Sequence, residues 1–152
     1  MQPSAPHYEE RLTAPRSWWV ITALVGIAGG LVVLPLGPLP MLGGLIGAAA
    51  VAAVVVSSYG SVRIRVVAGS LVAGEARIPL TALGEAEVLD AEEARAWRSY
   101  RADPRAFMVL RSYVPTALRI EVTDPADPTP YVYLSTRNPK ALAAALTAVR
   151  AA

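Results

Sequence analysis

Residues 17–62 read SWWVITALVGIAGGLVVLPLGPLPMLGGLIGAAAVAAVVVSSYGSV and contain no aspartate, glutamate, lysine, arginine or histidine. One membrane-spanning helix needs about 20 apolar residues, so this stretch is long enough for two helices. The proline- and glycine-rich run at residues 35–40 supplies a turn between them. The sequence therefore predicts a transmembrane helical hairpin over residues 17–60, with spans at about 17–34 and 41–59.

Arginines flank this hairpin on both sides and are absent from its turn. Arg11 and Arg16 precede the first predicted span, and Arg63 and Arg65 follow the second. Because arginines beside spanning helices stay on the cytoplasmic side, both termini are predicted to be cytoplasmic in a multi-pass protein of the plasma (inner) membrane. The same four arginines are candidate contacts for anionic lipid headgroups in the bilayer, with topology determination as the simpler explanation.

Glycines recur at a spacing of four in each predicted span, as Gly26 and Gly30 in the first and Gly43 and Gly47 in the second. Small residues allow spanning helices to approach closely. Two interpretations stay open, namely packing within one hairpin and a homodimer formed through these faces. Neither span contains an ionisable residue, which disfavours a channel or a transporter.

The overall charge and the cysteine content argue against several classes of protein. The net charge is only +2, so nucleic-acid binding is disfavoured. The chain has no cysteine, which excludes disulfides, thiol nucleophiles and thiolate metal ligands. The part that follows the hairpin is long enough for one small soluble domain.

The sequence divides into a short cytosolic segment at residues 1–16, the hairpin, and a cytosolic β domain at residues 61–152. Apolar and polar residues alternate in the domain as they do in half-buried strands, and we predict strands at residues 61–67, 71–78, 84–89, 107–111, 118–122 and 131–135. A short helix capped by Asp90 is predicted to end before Asp103, and a C-terminal helix to begin at Asn138 and Pro139. Six antiparallel strands with a terminal helix favour an α+β, pleckstrin-homology-like roll.

No group of reactive side chains predicts catalysis, a cofactor or a bound metal. His7 is the only histidine, so neither a histidine-based metal site nor a catalytic triad can be assembled. Capping of a helix start and Asp-Pro turns explain the acidic residues that could otherwise bind a cation. These are Asp90, Glu92, Glu93, Asp124 and Asp127.

The polar run Ser135-Thr136-Arg137-Asn138 lies where a predicted strand enters a helix. Hydroxyls, a guanidinium and helix-start N–H groups could converge there on an anion such as a lipid phosphate. A capped helix with a solvated arginine is the alternative interpretation. The chain has no glycine-rich phosphate loop, so nucleotide hydrolysis has no support.

Several segments resemble those of a known family. They are YEERLTAP at residues 8–15 before Trp18 and Trp19, DPRAF at 103–107, DPADPTPY at 124–131 and STRNP at 135–139. In these segments, and over nearly its whole length, the chain resembles the DUF3093 family of small actinobacterial two-span membrane proteins of unknown function. The resemblance implies an architecture but no activity, cofactor or catalytic residue.

Three functions are therefore compared. The first hypothesis is a non-enzymatic, membrane-tethered module for protein interaction or membrane organisation, because a tethered β domain without a reactive cluster fits that role. The second is a sensor of anionic lipid that uses the flanking arginines. The third is a membrane-tethered enzyme, which only scattered carboxylates and hydroxyls favour.

Overall fold

Two long apolar helices form where the uncharged stretch predicts them. In the computed structural model, which describes residues 7–152, helix α1 covers Ser17–Val33 and helix α2 covers Pro38–Tyr59. A short 3-10 turn at Leu34–Leu36 follows α1. Both helices are long and apolar enough to cross a membrane. They belong to a compact unit, Thr13–Val62, which is separate from the unit that joins the chain up to Leu12 with Arg63–Ala152.

The turn between the helices is shorter than predicted. Helix α2 was expected to begin at Met41 but begins at Pro38. Proline is tolerated in the first turn of a helix because the N–H groups there have no partner within the helix. Pro38 and Pro40 therefore lie inside α2, and the chain reverses at Gly37, whose φ of 115° suits a residue without a Cβ.

The two helices approach each other most closely at a pair of glycines that the sequence pattern did not single out. A Cβ added to Gly29 would lie 2.5 Å from Ala48 Cβ, and one added to Gly44 would lie 2.6 Å from the carbonyl oxygen of Gly29. Near the other end of the hairpin, Trp18 stacks on Tyr59 with their ring centroids 5.4 Å apart. The open end of the hairpin is therefore closed by an aromatic contact between the two helices.

The four glycines that the sequence did single out divide into two groups. Gly26 and Gly30 face α2, where added Cβ atoms would lie 2.9 Å and 3.2 Å from side chains of that helix. Packing within one hairpin is thus confirmed for this pair. The same interpretation is wrong for Gly43 and Gly47, since nothing lies within 4 Å of a Cβ at either position.

The first sheet has four strands in the order β1-β2-β3-β4, at Tyr8–Leu12, Val62–Val67, Ser70–Ala73 and Ala76–Pro79. Strands β2, β3 and β4 are joined by two tight turns, and positive φ values at Gly69 and Gly74 fit such hairpin loops. The prediction of one strand over residues 71–78 is therefore wrong, because the chain reverses at Gly74 to form β3 and β4.

Strand β1 was not predicted, since residues 1–16 were interpreted as a segment without secondary structure. Its last residue, Leu12, is fully buried, and the backbone N–H of His7 donates to the carbonyl oxygen of Val66 at 3.0 Å. Residues 1–6 of that segment lie outside the described residues. In sequence, the hairpin is thus an insertion between β1 and β2, two strands that pair in one sheet.

The second sheet has the order β5-β7-β8-β6, with strands at Leu83–Leu89, Ala117–Val122, Tyr131–Ser135 and Phe107–Val109. Strand β6 is parallel to β8, and the other pairs are antiparallel. The prediction of six antiparallel strands is therefore wrong in number and in direction. Strand β7 lies between β5 and β8, and β6 pairs with the outer edge of β8, where it runs parallel.

Two helices cover the second sheet. Helix α3 covers Ala91–Trp97 and begins as predicted, because the Asp90 carboxylate accepts from the N–H groups of Glu92 and Glu93 at 3.0 and 2.9 Å. Helix α4 covers Pro139–Ala151 and buries Leu142 and Leu146. All five residues of β8 are buried, so this strand forms the centre of the core.

Candidate functional site

Three arginines share the outer face of the first sheet. Arg63 and Arg65 alternate along β2 with Ile64 and Val66, which are fully buried, so the arginines project from the opposite face. The register pairs Arg65 with Val72 and Val72 with Arg77. Arg65 and Arg77 therefore lie on one face two strands apart, about 10 Å from each other. We call Arg63, Arg65 and Arg77 the basic face.

The structure places the other two predicted lipid contacts separately. Arg11 is exposed on β1 and alternates with the buried Leu12. Arg16 is exposed at the N-cap position of α1 and belongs to the unit of the helices. Of the four predicted arginines, Arg63 and Arg65 are thus brought together on one strand, and Arg77 joins them from a position that sequence reasoning missed.

The guanidinium groups of the basic face have no carboxylate partner within residues 7–152. The ion pairs that the structure describes lie elsewhere, as Arg105 with Asp103 and Arg119 with Glu87. The Nε atom of Arg65 is buried without a hydrogen-bond partner in the described chain. Within residues 7–152, no ion pair therefore neutralises the positive charge of this face.

The polar cluster at residues 135–138 already holds an anion, which is the carboxylate of Glu10 from β1. One Glu10 oxygen accepts hydrogen bonds from the hydroxyls of Thr136 and Tyr8, and the other accepts from the backbone N–H of Arg137 at 2.8 Å. The interpretation of this cluster as a phosphate site is therefore wrong, since an internal carboxylate occupies its donors. Asn138 makes no side-chain cap, and its backbone N–H donates to Thr136 Oγ1 at 3.1 Å.

Burial around this carboxylate perturbs the neighbouring phenol. Desolvation raises the pKa of Tyr8 to about 12, and the hydrogen bond to the negative Glu10 adds to the increase. Tyr8 therefore stays a neutral donor at alkaline pH values at which a free tyrosine ionises. The group fixes β1 to the segment that precedes α4.

A second cluster of cationic and aromatic side chains lies on the second sheet. The Arg119 guanidinium lies 4.4 Å from the ring centroid of Trp97, and its Nη2 atom is 2.7 Å from Glu87 Oε2. Beside it, Tyr100 is 81% exposed, and the Arg101 guanidinium lies 5.8 Å from its ring centroid. The sequence pattern did not predict this cluster, because α3 brings Trp97 against a strand that follows much later in the chain.

The remaining candidates have local structural roles. His7 is exposed, and Asp90 caps α3. Asp124 and Asp127 each accept from a backbone N–H two residues further on, at 2.9 Å, as expected for turns. Between residues 7 and 152, no three histidine, cysteine or acidic side chains are grouped so that they could hold a metal ion.

Comparison with known proteins identifies a family but no characterised relative. Neither a search of curated proteins nor a search of solved structures gives a match. A family described as "Protein of unknown function (DUF3093)" matches residues 7–146. This match includes both long helices, both sheets and most of α4. The chain therefore belongs to the DUF3093 family.

Proposed function

We propose that α1 and α2 span the plasma membrane as a hairpin with both termini in the cytoplasm. This is supported by the large apolar side chains that both helices leave uncovered, for example Val32 at 78% exposed and Leu39 at 79%. Soluble proteins rarely leave such a large continuous apolar surface in water, whereas lipid tails cover it without penalty. The uncharged turn near Gly37 is then external.

Single cysteines in this cysteine-free chain test that topology. Leu36→Cys at the turn and Tyr100→Cys after α3 are both exposed positions. In intact cells, an impermeant thiol reagent is expected to label Leu36→Cys from outside and to label Tyr100→Cys only after lysis. Labelling of Tyr100→Cys in intact cells would show that the proposed orientation is wrong.

We further propose that the soluble unit is a non-enzymatic, pleckstrin-homology-like module for protein interaction or membrane organisation. Two four-stranded sheets with a C-terminal helix support this class of fold. The observation that carries the proposal is the insertion of the hairpin between the paired strands β1 and β2. Such an insertion ties the module to the membrane at two neighbouring points.

We propose that a protein partner binds the aromatic and arginine side chains around α3. Protein interfaces are enriched in tyrosine, tryptophan and arginine. A photoreactive amino acid at Tyr100 in the intact chain is expected to crosslink one recurrent partner in cells. The same amino acid at Glu75, in the turn between β3 and β4, is the control position. Equal and unspecific crosslinking from both positions would contradict a partner at α3.

For the spanning part, we propose a homodimer through the α2 face that carries Gly43 and Gly47. A Cβ added to either of these glycines would have no atom within 4 Å. A Cβ added to Gly26 or Gly30 would instead contact α2. Gly47→Leu is expected to abolish a dimer detected by crosslinking in membranes. Val32→Leu, on the exposed surface of α1, is the matched control and is expected to leave the dimer intact.

Sensing of anionic lipid is the second candidate function. It is favoured by the exposure of Arg11, Arg16 and Arg63 and by the position of Arg65 beside Arg63 on one face of β2. Each arginine near a charged leaflet contributes about 1 kcal/mol of attraction.

A further inference from the structure

We infer that the basic face of the first sheet binds the headgroups of anionic phospholipids, with Arg77 as a direct contact. The inference rests on the proposed insertion of the hairpin into a membrane. The lipid-sensing candidate rested on four arginines that flank the spans. The inference instead assigns lipid binding to one defined surface of the soluble unit.

Chain connectivity keeps the start of β2 close to the end of the hairpin in the chain. Only Gly60, Ser61 and Val62 separate Tyr59, the last residue of α2, from Arg63. Even a fully extended chain covers no more than about 14 Å over that distance. The basic face therefore begins within reach of the headgroup layer, where the negative potential of an anionic leaflet acts on fixed charges.

The position of Arg77 distinguishes a role in lipid binding from a role in topology determination. It lies on β4, beyond two hairpin turns from α2, and reaches the basic face only because the register aligns it with Val72 and Arg65. Arginines that only fix topology need to lie within about 15–20 residues of a span, but they need not share one face of a sheet. A role in orientation therefore does not explain why Arg77 shares a face with Arg63 and Arg65.

The charge of the face and its lack of internal partners indicate the ligand. Arg63, Arg65 and Arg77 form no ion pair within the described chain, and Arg11 on the neighbouring strand forms none either. The nearby exposed acids are Glu9 on β1 and Glu75 in the turn between β3 and β4, which leaves the surface positive. Guanidinium groups bind phosphate by paired hydrogen bonds, so phosphodiester headgroups are suitable ligands for this surface.

The test uses the whole chain in lipid nanodiscs with a single cysteine at Val72, which lies between Arg65 and Arg77 on the face. Nanodiscs contain either phosphatidylcholine alone or phosphatidylcholine mixed with phosphatidylglycerol. The measurement is the rate at which a water-soluble maleimide labels Val72→Cys. Headgroup binding is expected to slow labelling in the anionic discs, and high salt is expected to reverse that protection.

Arg77→Gln is expected to weaken the protection about fivefold, as loss of one arginine contact implies. Arg95→Gln, an exposed arginine on α3, is the matched control and is expected to leave the protection unchanged. Equal labelling rates in the two kinds of disc, or equal effects of the two substitutions, would overturn the inference. Failure of the chain to enter nanodiscs would instead overturn the proposed membrane insertion, so the two failures are distinguishable.

Discussion

The carboxylate of Glu10 accepts a hydrogen bond at 2.8 Å from the backbone N–H of Arg137, a residue near the opposite end of the chain. Its second oxygen accepts from the hydroxyl of Thr136, which is fully buried. This contact joins the edge strand β1 to the entrance of α4. The stability of the unit that contains both sheets therefore depends on a segment that precedes the hairpin.

Glu10→Ala is expected to lower the free energy of unfolding by about 1–3 kcal/mol, because a buried hydroxyl and a backbone N–H lose their acceptor. Denaturant unfolding of the purified protein in detergent, followed by circular dichroism, measures this change. Glu9→Ala is the control, since Glu9 is exposed on the same strand. Similar losses in the two variants would show that the Glu10 contacts do not stabilise the fold.

Alkaline pH is expected to destabilise the unit of the two sheets through Tyr8. The folded protein holds the pKa of Tyr8 at about 12, against 10.0 for a free tyrosine. The unfolded chain therefore releases this proton first, so the stabilisation is complete below about pH 10 and is lost as the pH rises to about 12. Unfolding measured across that window should show a smaller decline for Tyr8→Phe than for the native protein. Tyr100→Phe, at an exposed position, should retain the native decline, and an unchanged slope in Tyr8→Phe would contradict the assignment.

Gly44→Ala is expected to destabilise the hairpin by about 1–3 kcal/mol, because its Cβ would lie 2.6 Å from the carbonyl oxygen of Gly29 and from Val33 Cγ2. Gly43→Ala is a matched control one residue away. Nothing lies within 4 Å of a Cβ at Gly43, so this variant gains helix propensity without a clash. Thermal unfolding in detergent compares the two, and equal melting temperatures would show that the helices do not pack through Gly44.

Arg119→Met is expected to lower stability by about 1 kcal/mol, because it removes both the ring contact with Trp97 and the ion pair with Glu87 while keeping an apolar stem. Hydrogen exchange of the β5 and β7 amides should increase locally. Arg105→Met removes an arginine whose ion pair with Asp103 is exposed, and it should leave exchange unchanged. Faster exchange in Arg105→Met than in Arg119→Met would contradict the packing role of Trp97.

Features encoded by nearby residues could be predicted from the sequence. The uncharged stretch defined both long helices, and Asp90 with the acids that follow it defined the start of α3. Strand β1 could not be predicted, because Glu9, Glu10 and Arg11 hide its alternation and because the partner of Glu10 is remote in sequence. Sequence reasoning did not identify Glu10 as the anion at residues 135–138 for the same reason, since only the fold brings Glu10 to Thr136.

The basic face could be predicted only in part. Arg63 and Arg65 stand in a clear alternating pattern directly after α2. Arg77 joins them through the register of β3 and β4, and that register depends on a reversal at Gly74, inside the segment predicted as one strand. Sequence reasoning can therefore place arginines along one strand, whereas their arrangement across a sheet requires the structure.

The insertion of the hairpin between β1 and β2 also determines the order in which the protein can be made and folded. Strand β1 leaves the ribosome first, but its neighbour β2 follows only after about fifty more residues, which take roughly 3–10 s to synthesise. Until then, Leu12 has no sheet to enter, and the Thr136 and Arg137 donors to Glu10 are made later still. A fragment that begins at residue 61 contains neither Leu12 nor Glu10. A soluble version of this unit must therefore retain residues 7–12 and replace the hairpin with a short linker.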